Sequence, residues 1–118
     1  MKFSIDAGAA TPPFEQLRVQ VRDAVAAGVL AAGAKLPTVR ALADELGLAV
    51  NTVARAYREL ETDGLIETRG RAGSFVAPQG DARQQQAQVA AREFVERARR
   101  LGVDDAAALE LVRAAQRG

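Results

Sequence analysis

Apolar residues recur at helical spacing in several separate stretches of this chain, and glycines and prolines mark the breaks between them. Residues 2–6 alternate weakly and read as a short strand. Thr11-Pro12-Pro13 signals a helix start. Phe14, Leu17, Val21, Ala24 or Val25, and Gly28 then predict a first amphipathic helix over about residues 14–28. Pro37-Thr38 opens a second helix, with Thr38 as its N-cap and Val39, Leu42, Ala43 and Leu46 as its apolar face. Gly47 stops it. A third helix over roughly residues 51–63 buries Val53, Ala56, Tyr57 and Leu60 and ends at Gly64. Two short helices joined by a tight glycine-containing turn have the spacing of a helix-turn-helix.

The period then changes. Leu65-Ile66-Glu67-Thr68 reads as a strand, Arg69 to Gly73 as a glycine-rich turn, and Ser74-Phe75-Val76-Ala77 as the returning strand. A hairpin directly after the third helix makes a winged helix. Pro78-Gln79-Gly80 breaks the chain, so a winged helix-turn-helix over residues 1–78 and a tail over 79–118 are expected. In the tail, Ala87, Ala91, Phe94, Ala98 and Leu101 line one helix. Asp104 caps a second, with Ala108, Leu109, Val112 and Ala115 on one face. Two helices alone bury too little to stand in water. Their stripes either pack back on the winged helix or meet a second copy. The second reading is preferred, because symmetric dimers are the commonest assemblies. The fold class expected is mainly α with a small β wing, followed by a two-helix dimerisation tail.

Composition narrows the chemistry. The 118 residues contain no cysteine and no histidine, which removes disulfides, thiolate nucleophiles, imidazole bases and most zinc sites. Lys2 and Lys35 are the only lysines. Glu93, Glu96, Asp104 and Asp105 read as solvated faces and caps rather than a metal cluster. Gly70 to Ser74 has neither nucleophile-elbow nor phosphate-loop spacing. No enzyme, cofactor or metal is expected. The net charge of +1 gives no global electrostatic signal, but it hides a local one. Residues 1–78 carry nine basic and nine acidic side chains, yet 68–77 holds Arg69 and Arg71 and no acid. There is no run of eighteen apolar residues and no apolar stretch of a signal peptide at the start, so a cytoplasmic protein is expected, with no membrane partner.

The run Pro13-Phe14-Glu15-Gln16-Leu17, then Gly28-Val29-Leu30, Gly33, Leu36-Pro37-Thr38-Val39-Arg40, Leu42-Ala43, Thr52-Val53, Ala56-Tyr57, Gly64-Leu65-Ile66 and Gly73-Ser74-Phe75-Val76 resembles the GntR family of bacterial transcription regulators. The stretch from Asn51 to Glu61, with only a two-helix tail after the wing, resembles the YtrA-type subfamily in particular. The resemblance implies a DNA-contacting arginine at Arg40, a tail that serves dimerisation, and control of a transporter operon. Two positions depart from the family pattern. Ala49 stands where Ser or Thr is frequent, so Asn51 or Thr52 is expected to take over the cap. Val50 stands where an arginine is frequent.

The expected DNA-binding set is Thr38, Arg40, Asn51, Thr52, Arg55, Arg58, Arg69, Gly70 and Arg71. The start of a recognition helix faces base edges in the major groove. Asparagine reads adenine there and arginine reads guanine. Each residue also has a plainer reading. Arg40 pairs with Asp44, Asn51 is an N-cap, Thr52 touches only phosphate, and Arg55 pairs with Glu59. Arg58 is a backbone contact or a solvated charge. Tyr57 is mainly core, with a hydroxyl that reaches a phosphate in the alternative. Gly70 and Gly73 serve the turn. The expected dimerisation set is Ala87, Ala91, Phe94, Ala98, Leu101, Leu109, Val112 and Ala115. The function expected is a sequence-specific regulator, most simply a repressor, acting as a homodimer on an inverted repeat of double-stranded DNA. No small-molecule effector is identified. The alternative is a winged-helix adaptor that binds protein and does not read DNA.

Overall fold

The computed structural model describes residues 2–118 and contains five α-helices and a small antiparallel sheet. The helices are α1 (Pro13–Ala26), α2 (Val39–Leu46), α3 (Val50–Thr62), α4 (Ala82–Arg100) and α5 (Asp105–Arg117). The strands are β1 (Ile66–Thr68) and β2 (Ser74–Val76). The chain falls into two compact units, one ending at Gln79 and the other running Gly80–Gly118.

In the first unit, α1 begins with Pro13 in its first turn, where the missing N–H costs nothing. It ends two residues earlier than its apolar spacing suggests. The N–H of Gly28 turns back to the carbonyl of Val25, and that of Val29 to Ala24, satisfying carbonyls that the helix leaves open. Thr38 caps α2 as expected, its Oγ1 accepting from the N–H of Ala41 at 3.1 Å. Gly47 closes α2 with φ of +67°, which a side chain would resist, and Leu48 N–H bonds to Ala43 O. This tight closure lets α3 start three residues later. Leu17 and Val21 of α1, Leu42 of α2, Val53 and Leu60 of α3, and Ile66 and Val76 of the strands are fully buried together in one core. Removing any of these leucines would leave a cavity at a cost of about 2–5 kcal/mol.

β1 pairs with β2 in the register Ile66–Val76, Glu67–Phe75, Thr68–Ser74. The segment between α1 and α2 pairs on the other edge of β2. Lys35 bridges Phe75, Leu36 N–H donates to Ser74 O, and Val76 N–H donates to Ala34 O. β2 is therefore the centre of the wing, which is anchored on both sides. Residues 2–6 form no strand, against expectation. Instead two glutamine side chains on α1 satisfy their backbone. Gln20 accepts from Ser4 N–H and donates to Ser4 O, and Gln16 does the same for Asp6. An amide side chain thus supplies what a neighbouring strand would. Phe3 is buried against the core as a result.

The second unit is a helical hairpin. Asp81 and Gln84 form a reciprocal capping box at the start of α4. Asp104 caps α5 by accepting from Ala107 N–H at 2.8 Å. Arg99 of α4 pairs with Asp105 of α5 at 3.0 Å, and the hydrogen bond from that guanidinium holds the Asp105 carboxyl below its usual range. Among the described residues no helix is long and apolar enough to cross a membrane.

Candidate nucleic-acid interface

The polar residues of α3 divide along its length. Asn51, Thr52, Arg55 and Arg58 occupy the first part, and Glu59, Glu61 and then Asp63 the last. The unpaired N–H groups at a helix start carry a partial positive charge, so the cationic side chains and the backbone favour an anion at the same end. Asn51 is exposed and Thr52 is half-buried. Neither is the cap. Ala49 holds that position and offers no side-chain hydrogen bond, so helix geometry already begins at Val50 and Asn51 lies one residue inside it. The cap role expected of Asn51 or Thr52 therefore falls to neither.

Tyr57 sits in the core with 6% of its surface exposed. Its hydroxyl donates to the carbonyl of Pro37 at 2.7 Å, which brings the start of α2 against α3. That bond occupies the hydroxyl inside the fold rather than at a phosphate. Burial pushes its pKa up to about 12. Thr38 and Arg40 follow directly from Pro37 and are both exposed. Thr38 Oγ1 is already engaged by its own helix.

Arg55 does not pair with Glu59. Its guanidinium lies over the ring of Phe14, 3.7 Å from the centroid. Arg69 is also engaged. It forms an ion pair with Glu67 at 2.6 Å and lies over the ring of Phe75 at 4.3 Å. Glu67 lies just outside the acid-free stretch 68–77, so half of the wing's expected positive charge is neutralised from its flank. Arg71 is exposed on a short 3₁₀ turn, Gly70–Ala72. Gly70 and Gly73 have φ of +54° and +109°, which fits their reading as turn residues. Among the described residues no acid pairs with Arg40, Arg58 or Arg71. Phe14 and Phe75 escaped sequence reasoning as parts of this surface, since only the folded chain sets an aromatic face against an arginine.

Another crevice in this unit is lined by Glu15, Arg18, Glu59, Thr62 and Asp63. Arg18 pairs with Glu15 and approaches Asp63 at 3.8 Å, and the hydrogen bond from Arg18 holds the Glu15 carboxyl below its usual range. Three carboxylates around one guanidinium suit no polyanion.

In the hairpin, a groove of about 640 Å³ is lined by apolar residues that include Ala91, Phe94, Val95, Ala108, Leu109 and Val112. Phe94, Leu101, Leu109 and Val112 are exposed by 37–70%, as is Leu111, which the stripes did not include. Ala87, Ala91 and Ala115 are exposed as well. Ala98 departs from the expected set. It is 4% exposed, buried within the hairpin, and so has no surface left for a partner. Among the described residues no three His, Cys, Asp or Glu side chains are grouped to hold a metal ion.

The model of the gntR family of bacterial regulatory proteins matches residues 13–76. The chain is 52% identical over 99 residues to the HTH-type transcriptional regulator Rv1152 of Mycobacterium tuberculosis, covering 84% of this chain and 81% of that protein. It is 43% identical over 74 residues to the HTH-type transcriptional repressor YtrA of Bacillus subtilis, covering 62% of this chain and 56% of that protein. The solved structure of YtrA from Sulfolobus acidocaldarius, a GntR-family transcription factor, superposes with a TM-score of 0.60 at 26% identity. That match covers 98% of this chain and 95% of the other.

Proposed function

The chain belongs to the gntR family of bacterial regulatory proteins, as a YtrA-type member, and from that premise we propose that it represses transcription as a homodimer bound to an inverted-repeat operator. It is a DNA-binding transcriptional regulator and not an enzyme; the relatives are named as regulators. The adaptor reading is accordingly not favoured. The observation that carries the DNA-facing assignment is the placement of unpaired arginines. Among the described residues of the first unit, Arg40 on α2, Arg58 on α3 and Arg71 on the wing pair with no acid and Arg55 lies on the Phe14 ring, whereas Arg18, Arg22 and Arg69 each pair with one.

In this reading the start of α3 enters the major groove. Asn51 and Arg55 meet base edges, Thr52 and Arg58 lie at the flanking backbone, and Arg40 holds a phosphate or guanine from the start of α2. Thr38 contributes through the helix start that it caps. Arg71 reaches the neighbouring groove from the turn that Gly70 allows, and Arg69 does so with its charge reduced by Glu67. One recognition helix places only three or four side chains on bases, too few to single out one site in a genome. A homodimer through the tail doubles that reading. Repression needs only occupancy of a promoter, the operon controlled is one for a transporter, and the protein works in the cytoplasm where its DNA is. The test is to select binding sites from a random duplex library and footprint the upstream region of its own gene. Salt-sensitive binding to a two-fold symmetric site supports the proposal; binding with no sequence preference refutes it.

A further inference from the structure

The geometry points to Phe14, on α1, as a positioning residue that holds the Arg55 guanidinium ready for base readout; this rests on the reading of Arg55 as a groove contact given above. The two side chains belong to different helices and meet face to face, with the guanidinium carbon 3.7 Å from the ring centroid. Phe14 is itself fixed, half-buried and packed on the core. Arg55 is exposed and has two carboxylates within reach in sequence or space. Glu59 lies one turn further along α3, and Glu15 follows Phe14 on α1. Arg55 makes an ion pair with neither, and Glu15 is held by Arg18 instead.

The choice of partner matters chemically. A carboxylate would bind the edge of the guanidinium, where its five N–H donors lie. An aromatic ring binds the face and leaves the edge free. Guanine O6 and N7 require that edge. A ring-stacked arginine is thus restrained without using the donors that recognition needs, and less rotamer freedom is lost when DNA binds. An unstacked arginine at the same position would find phosphate as readily as base, so the ring should favour sequence preference over general affinity.

The experiment uses the full-length protein and a duplex carrying the site that it selects from a random library, with a scrambled duplex as reference. Five proteins are compared by mobility shift: the parent, Phe14→Leu, Phe14→Tyr, Arg55→Ala and the double variant Phe14→Leu/Arg55→Ala. Phe14→Leu is expected to weaken the selected duplex roughly two- to fivefold, the rotamer freedom that an unstacked arginine gives up on binding, and to leave the scrambled duplex unchanged. Phe14→Tyr should restore parental binding. In the Arg55→Ala background the leucine exchange should have no further effect. Equal loss in both backgrounds, or no loss in the parent, overturns the role of Phe14. If Arg55→Ala relaxes base preference while Phe14→Leu does not couple to it, only the positioning role fails. If Arg55→Ala leaves base preference unchanged, the groove assignment of Arg55 fails and this inference falls with it. A measurement on the unmutated protein stands apart from any folding defect. The Arg55 side-chain N–H resonance should be shifted upfield by the ring current and remain so in the DNA complex; a shift lost on binding overturns the inference.

Discussion

Tyr57 donates its hydroxyl hydrogen to the Pro37 carbonyl at 2.7 Å, and this one bond joins the middle of α3 to the residue before the cap of α2. It fixes the angle at which the two helices of the motif offer their polar faces. Tyr57 keeps only 6% of its surface exposed. Tyr57→Phe should therefore cost about 1 kcal/mol of stability, the net value of one hydrogen bond, and more if the Pro37 carbonyl stays dry. Urea unfolding would measure it.

The same burial sets a behaviour at high pH. The Tyr57 pKa is pushed up to about 12 in the folded chain, from an ordinary value of 10.0. The folded state favours the protonated phenol, so this contribution is complete below pH 10 and is lost as pH rises through 12. Urea midpoints should fall between pH 10 and 12, and Tyr57→Phe should flatten that fall. A midpoint that drops equally in both proteins would assign the effect to other groups.

Gly73 makes a further point about the wing. Its φ of +109° and ψ of −158° lie in a region almost exclusive to glycine, and an added Cβ would sit 3.2 Å from Lys35 Cε. Gly73→Ala should cost about 1–3 kcal/mol of local stability. Circular dichroism should retain the helices, while hydrogen exchange at Ser74 and Phe75 accelerates and DNA affinity declines.

The two wing arginines should behave differently. Arg71→Ala removes an unpaired charge and should lower the slope of log affinity against log salt by about 0.9 per half-site, as expected for one phosphate contact. Arg69→Ala removes a charge that Glu67 already offsets at 2.6 Å and should lower it by less. Equal effects from the two would show that the Glu67 pair opens on DNA.

Helices, wing and the caps of α2 and α5 are legible because each depends on neighbours in sequence, whereas the cap of α3 is not. Thr38 caps three residues ahead, Asp104 does likewise, and the buried faces of α1 and α3 repeat every three or four positions. What escaped depends on distant partners. Gln16 and Gln20 satisfy residues 4 and 6 by reaching across the fold, so the weak alternation of residues 2–6 lacked the neighbouring strand that it implied. Lys35 completes the sheet from the other side of α2. Arg55 had a carboxylate at helical spacing, yet lies on a ring supplied by another helix. Local spacing lists the partners a side chain can reach, but packing decides which one it takes.

The tail links this unevenness to function. Ala98 and Ala108 are buried within the hairpin, so these small residues let α4 and α5 close on each other. The large apolar residues are the ones left outside. Leu101 is 70% exposed, and Phe94, Leu109 and Val112 remain accessible along the groove. A lone hairpin of this kind leaves an apolar patch that water disfavours, and burial returns about 25 cal/mol for each Å² covered. In the proposed homodimer a second copy would offer the same patch and satisfy both at once, with the two-fold axis that an inverted repeat requires. Phe94→Asp places a charge in the middle of that surface without touching the core of the winged helix. It should yield a folded monomer by sedimentation and circular dichroism, and that monomer should bind one half-site but lose the added affinity of the full operator. Ala98→Val tests the other role, because it crowds the hairpin and should lower thermal stability before it alters mass. If Phe94→Asp stays dimeric, or its monomer binds the full operator as tightly as the parent, the tail is not what brings two half-sites under one regulator.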